Sequence, residues 1–251
     1  MTFDISFDVN PVVQRLDAFK AVQVPFATSL AINNLAKLAK SDLQSNMRKT
    51  FDRPVPYTIN GIYIKVSNKN DLYGEVGLKD FAGKGNAAAD YLLPQIQGGP
   101  AYATRFQKAL KQKGILAPNE TARPTQSDFL RINKYGNVTP GQYSQILYGL
   151  QAFRDSSAFT YRKNAKKKRA PVISAIKTNE VGVYRSRKLS PGIYLQSKKS
   201  IENRESALFW IGKTPNFAGK FNFLQIGSES VKRNLDKEFR SALAFAIATA
   251  K

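Results

Sequence analysis

The sequence predicts an α+β fold: an antiparallel β-sheet bracketed by long N- and C-terminal amphipathic helices, with a helical and loop insertion between them. Three observations lead there. Apolar residues recur at steps of three and four near both ends of the chain, the signature of helices with one buried face. In between they alternate at period two, as half-buried strands require. A content of 42% hydrophobic and 23% charged residues is ordinary for a chain that builds its own core. No composition break divides the 251 residues, so the expectation is a single domain, 1–251, with a helical insertion at 98–155 and a basic segment at 156–201.

The first helix is read from Pro25 to Thr50, where Ile32, Leu35, Ala39, Leu43 and Met47 mark its apolar face and Pro54 and Pro56 stop it. At 1.5 Å per residue it spans on the order of 35 to 40 Å. Ile62, Ile64 and Val66 then alternate with polar neighbours, and Leu72, Val76 and Leu78 follow the turn residues 68–71, which reads as a β-hairpin. The loop Phe81 to Asn86 leads to Asp90-Tyr91-Leu92-Leu93 and a break at Gly98-Gly99-Pro100. A basic helix from Tyr102 to Lys113 ends at Gly114. Residues 115–138, rich in Pro, Asn and Thr, look like an excursion from the core. Thr139-Pro140-Gly141-Gln142 has the spacing of a capping box with Pro at the first helical position, and Tyr143, Ile146, Leu147, Leu150 and Phe153 form the stripe of the helix it opens. Strands are expected at 181–184, 192–195, 207–211 and 221–226. The last helix is expected to start at Ser228 as N-cap, with Val231, Leu235, Phe239, Ala242 and Ala246 on its apolar face.

The charge is far from balanced: 39 Lys and Arg against 18 Asp and Glu give a formal +21. Such an excess repels itself unless phosphates or other polyanions neutralise it. It is also concentrated. From Ser156 to Ile201 there are twelve basic residues and one acid, a local +11. The candidate contacts to a nucleic-acid backbone are Lys166, Lys167, Lys168 and Arg169 first, then Arg162, Lys163, Arg185, Arg187 and Lys188. Tyr161, Tyr184 and Tyr194, interleaved with them, are read as strand or core residues, with stacking on bases as the alternative. No helix-turn-helix, zinc motif or paired RNA-binding aromatic motif is present, so the contact expected is with phosphates, which carry no base information.

Catalysis has little to build on. Cysteine and histidine are both absent, which removes disulfides, thiolate nucleophiles, zinc fingers and imidazole acid-base work together. Gly83-Lys84-Gly85 lacks the spacer and the Lys-Ser/Thr ending of a phosphate-binding loop. Asp80 and Asp90 could pair around a metal, but scattered carboxylates in a basic chain are ordinarily solvated or salt-bridged. No catalytic residue, metal or cofactor is expected. The first ten residues match neither a secretory signal nor an Arg-rich transit peptide, and no run of about 18 apolar residues occurs, so synthesis in the cytoplasm without a membrane span is expected.

Two segments resemble a family. Val24-Pro25-Phe26-Ala27-Thr28-Ser29-Leu30-Ala31-Ile32-Asn33-Asn34-Leu35-Ala36 is similar to the opening helix of phage minor tail protein Z. Val231 to Leu243, with its basic-Leu-x-x-Glu-x-x-x-Ala-Leu pattern, resembles that family's closing helix. The middle, Phe81 to Asp90 and the Thr139 helix, resembles prophage proteins encoded among tail genes, while the excursion from Gly98 to about Asp155 departs from the shorter family pattern. What the resemblance implies is a structural virion protein of the neck or tail-completion region of a tailed bacteriophage. It would be a homo-oligomeric ring at the head-proximal end of the tail, around the DNA channel. Its neighbours would be the tail terminator and the head-completion or tail-tube proteins. Three other readings stay open: a free, sequence-nonspecific nucleic-acid-binding protein; a nuclease using Asp80 and Asp90; and a virion protein whose basic segment docks on an acidic protein neighbour.

Overall fold

The computed structural model describes residues 10–83, 85–152, 181–185, 190–195 and 207–250, with side chains from Val22 onward. The fold is α+β, and the chain groups into two compact units. The first comprises Met1–Ala82, Ala87–Leu92 and Gly219–Lys251; the second comprises Gly83–Asn86 and Leu93–Ala218.

In the first unit a 41-residue helix α1 (Asn10–Thr50) packs along the 27-residue α6 (Phe223–Thr249). The contacts show that they run antiparallel. The Phe26 ring meets that of Phe245 at 6.3 Å, Asn34 Nδ2 donates to Glu238 Oε2 at 3.2 Å, Arg233 pairs with Asp42 at 2.6 Å, and Phe51 meets Phe221 at 5.7 Å. Ala27, Ala31, Leu35, Ala39, Leu43 and Met47 are all buried, a ladder at steps of four down one side of α1. At Ala27 and Ala31 that ladder meets Ala242 and Ala246, small residues that let the two backbones approach closely. The hairpin of β1 (Ile62–Lys65) and β2 (Glu75–Leu78) pairs Ile62 with Leu78 through to Lys65 with Glu75. It is tied to α1 by one side chain. Asn33 donates to Ser67 O at 3.0 Å and accepts from Ser67 N–H at 2.8 Å, so its amide satisfies two backbone groups that leave the strand unpaired. A short helix α2 (Pro56–Ile59) precedes the hairpin, and at Gly61 a Cβ would stand 2.4 Å from that of Ala88, so only glycine fits this approach.

Helix α3 (Ala88–Gln97) carries the chain into the second unit. There a ladder of two residues, β3 (Gly99–Pro100) with β8 (Asn216–Phe217), stands beside a four-stranded antiparallel sheet. The sheet order is β4 (Glu120–Pro124), β7 (Ala207–Lys213), β6 (Gly192–Leu195), β5 (Val181–Tyr184). Helices α4 (Arg105–Gln112) and α5 (Pro140–Gly149) supply the rest of one core, in which Phe106, Leu110, Ile146, Ile193, Leu208 and Phe209 are buried. Its centre is aromatic: the Phe106 ring lies 4.8 Å from Tyr143 and 5.0 Å from Phe209.

The structure departs from the sequence expectations at four places. Pro25 lies inside α1, which begins at Asn10, rather than opening the helix. A proline costs a helix one backbone hydrogen bond and a steric contact, and a helix this long continues past that defect. Phe221 to Ile226 is not a strand. The run Phe-Asn-Phe-Leu has an alternation that mimics one, but Phe221 is buried against Phe51 and α6 starts at Phe223. Ser228 therefore sits within the helix, its hydroxyl bonded to Gln225 O at 2.9 Å. The capping box expected at Thr139 does not form. Gln142 is buried and turns to the preceding loop instead, accepting from Arg131 N–H at 2.6 Å and donating to Phe129 O. A capping box forms at Thr104 and Gln107, at the start of α4. Finally, the stretch 115–138 is no excursion. It contributes β4 as an outer strand of the sheet, and Leu116, Ala122, Leu130 and Val138 to the core.

Candidate polyanion-binding surface

Of the nine candidate contact residues, Arg162, Lys163, Lys166, Lys167, Lys168, Arg169, Arg187 and Lys188 lie outside the described residues. Arg185 lies within them, directly after β5, and its guanidinium is engaged inside the second unit. It meets Glu120 in a two-pronged pair, Nη1 to Oε1 at 2.8 Å and Nη2 to Oε2 at 2.6 Å, while Nη2 also donates to Ile115 O at 2.7 Å. Glu120 opens β4, so this pair links the two outer strands of the sheet, one through the residue that follows β5. Ala117 N–H adds a further bond to Glu120 Oε2 at 2.8 Å. The planar fork of arginine matches a carboxylate in a way that lysine cannot, which is why the pair depends on this residue type.

The Arg185 guanidinium, and after it the Ala117 N–H, hold the Glu120 carboxyl down at about 2 against an ordinary 4.5. A lowered carboxyl stabilises the fold above its ordinary value, and that stabilisation is lost as pH falls toward the folded value. Glu120→Gln should therefore cost about 1 kcal/mol near neutral pH, a modest figure because the Arg185 side chain is 43% exposed. The cost should shrink steadily from about pH 4.5 and vanish near about pH 2. Urea denaturation of both proteins across that range measures it. A pH-independent difference would mean that the pair contributes only through packing.

Outside the segment 156–201, the helix α4 carries a further row of cations. Phe106 and Leu110 bury one side of that helix, and Arg105, Lys108 and Lys111 fall at steps of three on the other. Lys108 lies 4.4 Å over the Tyr102 ring. Ion pairs among the described residues include Arg53 with Asp52, Arg185 with Glu120 and Arg233 with Asp42.

Tyr194 is buried, donates to Ser190 O at 2.8 Å, and packs edge-on against Tyr184 at 5.6 Å and Trp210 at 5.9 Å. It is a core residue, as read from its strand; Tyr161 lies outside the described residues. Asp80 is exposed, and Asp90 accepts from Ala87 N–H at 3.3 Å at the start of α3, the ordinary use of an acid in a first helical turn. Among the described residues no three acids come together as a metal-binding group. Gly85 takes a positive φ of 80°, while Lys84 lies outside the described residues. No helix among the described residues is long and apolar enough to cross a membrane. No family model, curated protein or solved structure matches the chain.

Proposed function

We propose that this chain is a structural protein of the neck or tail-completion region of a tailed phage, assembling a symmetric ring that holds packaged DNA by its phosphates. The observation that carries the polyanion part is the concentration of charge, twelve cations and one acid between Ser156 and Ile201. Phosphate contacts of that kind give affinity and salt dependence without sequence preference. The place in the virion comes from the resemblance of the two terminal helical segments.

The ring needs a surface between copies, and α6 offers one. Leu224, Leu235 and Phe239 are 79%, 46% and 39% exposed, and Val231 between them falls on the same side at helical spacing. Large apolar side chains aligned in this way favour association with another surface. Mass photometry of the purified chain, with and without duplex DNA, tests the proposal. A discrete closed oligomer supports it. A monomer under both conditions defeats the ring and leaves a free nucleic-acid-binding protein as the reading, and particles bearing an acidic partner instead of DNA would make the basic segment a protein-docking surface.

A further inference from the structure

The second unit carries an open cleft of about 450 Å³ between the loop that follows α4, the β7–β8 turn and β3. Its frame is held by backbone bonds. Thr214 N–H donates to Asn119 O at 2.7 Å and Ala101 N–H to Pro215 O at 2.8 Å, and β3 pairs with β8 through Pro100 and Asn216. Walls built from prolines and ladder residues need little ordering when a ligand arrives.

The lining is cationic and contains no acid: Lys111, Lys213, Asn119, Thr214 and Asn216 supply its polar groups. Lys111 Nζ is anchored on Pro118 O at 2.6 Å, and an ammonium has two further N–H bonds to give. Lys213 stands opposite Glu120 in the β4–β7 register, where an ion pair would ordinarily form. Both oxygens of Glu120 are instead taken by Arg185 and the Ala117 N–H, and Lys213 makes no ion pair among the described residues. Thr214 Oγ1 is buried and has no hydrogen-bond partner among them.

From this we infer that the cleft binds the phosphate of a nucleotide unit. Two lysine ammoniums match the charge of a phosphate, and the side-chain amides of Asn119 and Asn216 add donors at the lining. The volume exceeds what a bare phosphate needs and falls within the range of about 300 to 1,000 Å³ typical of small-ligand sites. The pyrrolidine faces of Pro100 and Pro118 give the sugar or base an apolar wall. The nucleotide unit is either free or part of a nucleic-acid strand, and both present the same phosphate chemistry. The inference is independent of the basic segment at 156–201.

The test is an amide-shift titration of the full chain with AMP, adenosine, inorganic phosphate and a thymidine oligonucleotide. AMP should shift Thr214 and Asn216 while adenosine leaves them in place. Lys213→Gln should weaken the response about tenfold, and Lys134→Gln, which removes an exposed cation elsewhere in the unit, should not. Asn216→Ala, which removes a side-chain amide from the lining, should also weaken it. A chain with Lys166 to Arg169 neutralised should respond to AMP as the natural chain does. If AMP is silent and the oligonucleotide shifts the same amides with the same dependence on Lys213, the ligand is a strand phosphodiester. Silence with both, an equal response to adenosine, or equal weakening by Lys134→Gln overturns the inference.

Discussion

Replacing Lys166, Lys167, Lys168 and Arg169 together by glutamine should flatten the dependence of duplex binding on salt. The slope of log K against log salt should fall by about 3 to 4, because each cation neutralising a phosphate releases about 0.9 counterion. Affinity for unrelated duplex sequences should fall alike, since phosphate contacts report no bases. Fluorescence anisotropy across a salt series measures both. Arg185→Gln provides the contrast within the same stretch of sequence. Its guanidinium already serves Glu120 and Ile115 O, so this change should leave the slope nearly intact and lower stability instead. An unchanged slope in the quadruple variant would remove the phosphate role from residues 166–169.

Phe209→Ala should cost about 3 to 5 kcal/mol of the second unit's stability. The residue is 1% exposed and sits on β7, an inner strand of the sheet, with Ile193 as its register partner on β6. Its ring also meets Phe106 at 5.0 Å and Tyr143 at 5.9 Å, so truncation opens a hole bounded by two helices and a strand. Those walls are fixed by their own hydrogen bonds and close on the hole only in part, which places the cost in the upper range for a core substitution. The chain's single tryptophan, Trp210, is the next residue on β7, and urea denaturation followed by its fluorescence reports on this unit. A loss below about 1 kcal/mol would show that the aromatic cluster is not the centre of the core.

What the residues disclosed and what they concealed follow a physical line. The α1 stripe through Leu35, Ala39, Leu43 and Met47 was legible because it buries one periodic face, and the hairpin at 62–78 and the strands expected at 181–184, 192–195 and 207–211 because their apolar or alternating runs are short and bounded by turn residues. β4 was hidden because Glu-Thr-Ala-Arg-Pro has neither alternation nor strong strand residues. It is a strand because β7 offers it a ladder, and as an outer strand it tolerates Pro124. The Thr139 box failed for a related reason: a buried glutamine side chain bonds wherever unpaired backbone groups stand, and for Gln142 these were Phe129 O and Arg131 N–H.

The candidate site divides in the same way. Charge is a property of composition, so the excess of cations and its concentration at 156–201 were determined by the sequence alone. Which cation is free to meet a partner is a property of neighbours in space, and only the tertiary structure could assign Arg185 to Glu120 and thereby leave Lys213 without it. The fold class rested on local periodicity, which a chain carries along its length. The pairing of β4 with β7, the edge-to-edge ion pair and the cleft beside Thr214 rest on contacts between residues up to about 115 positions apart, which no local pattern records.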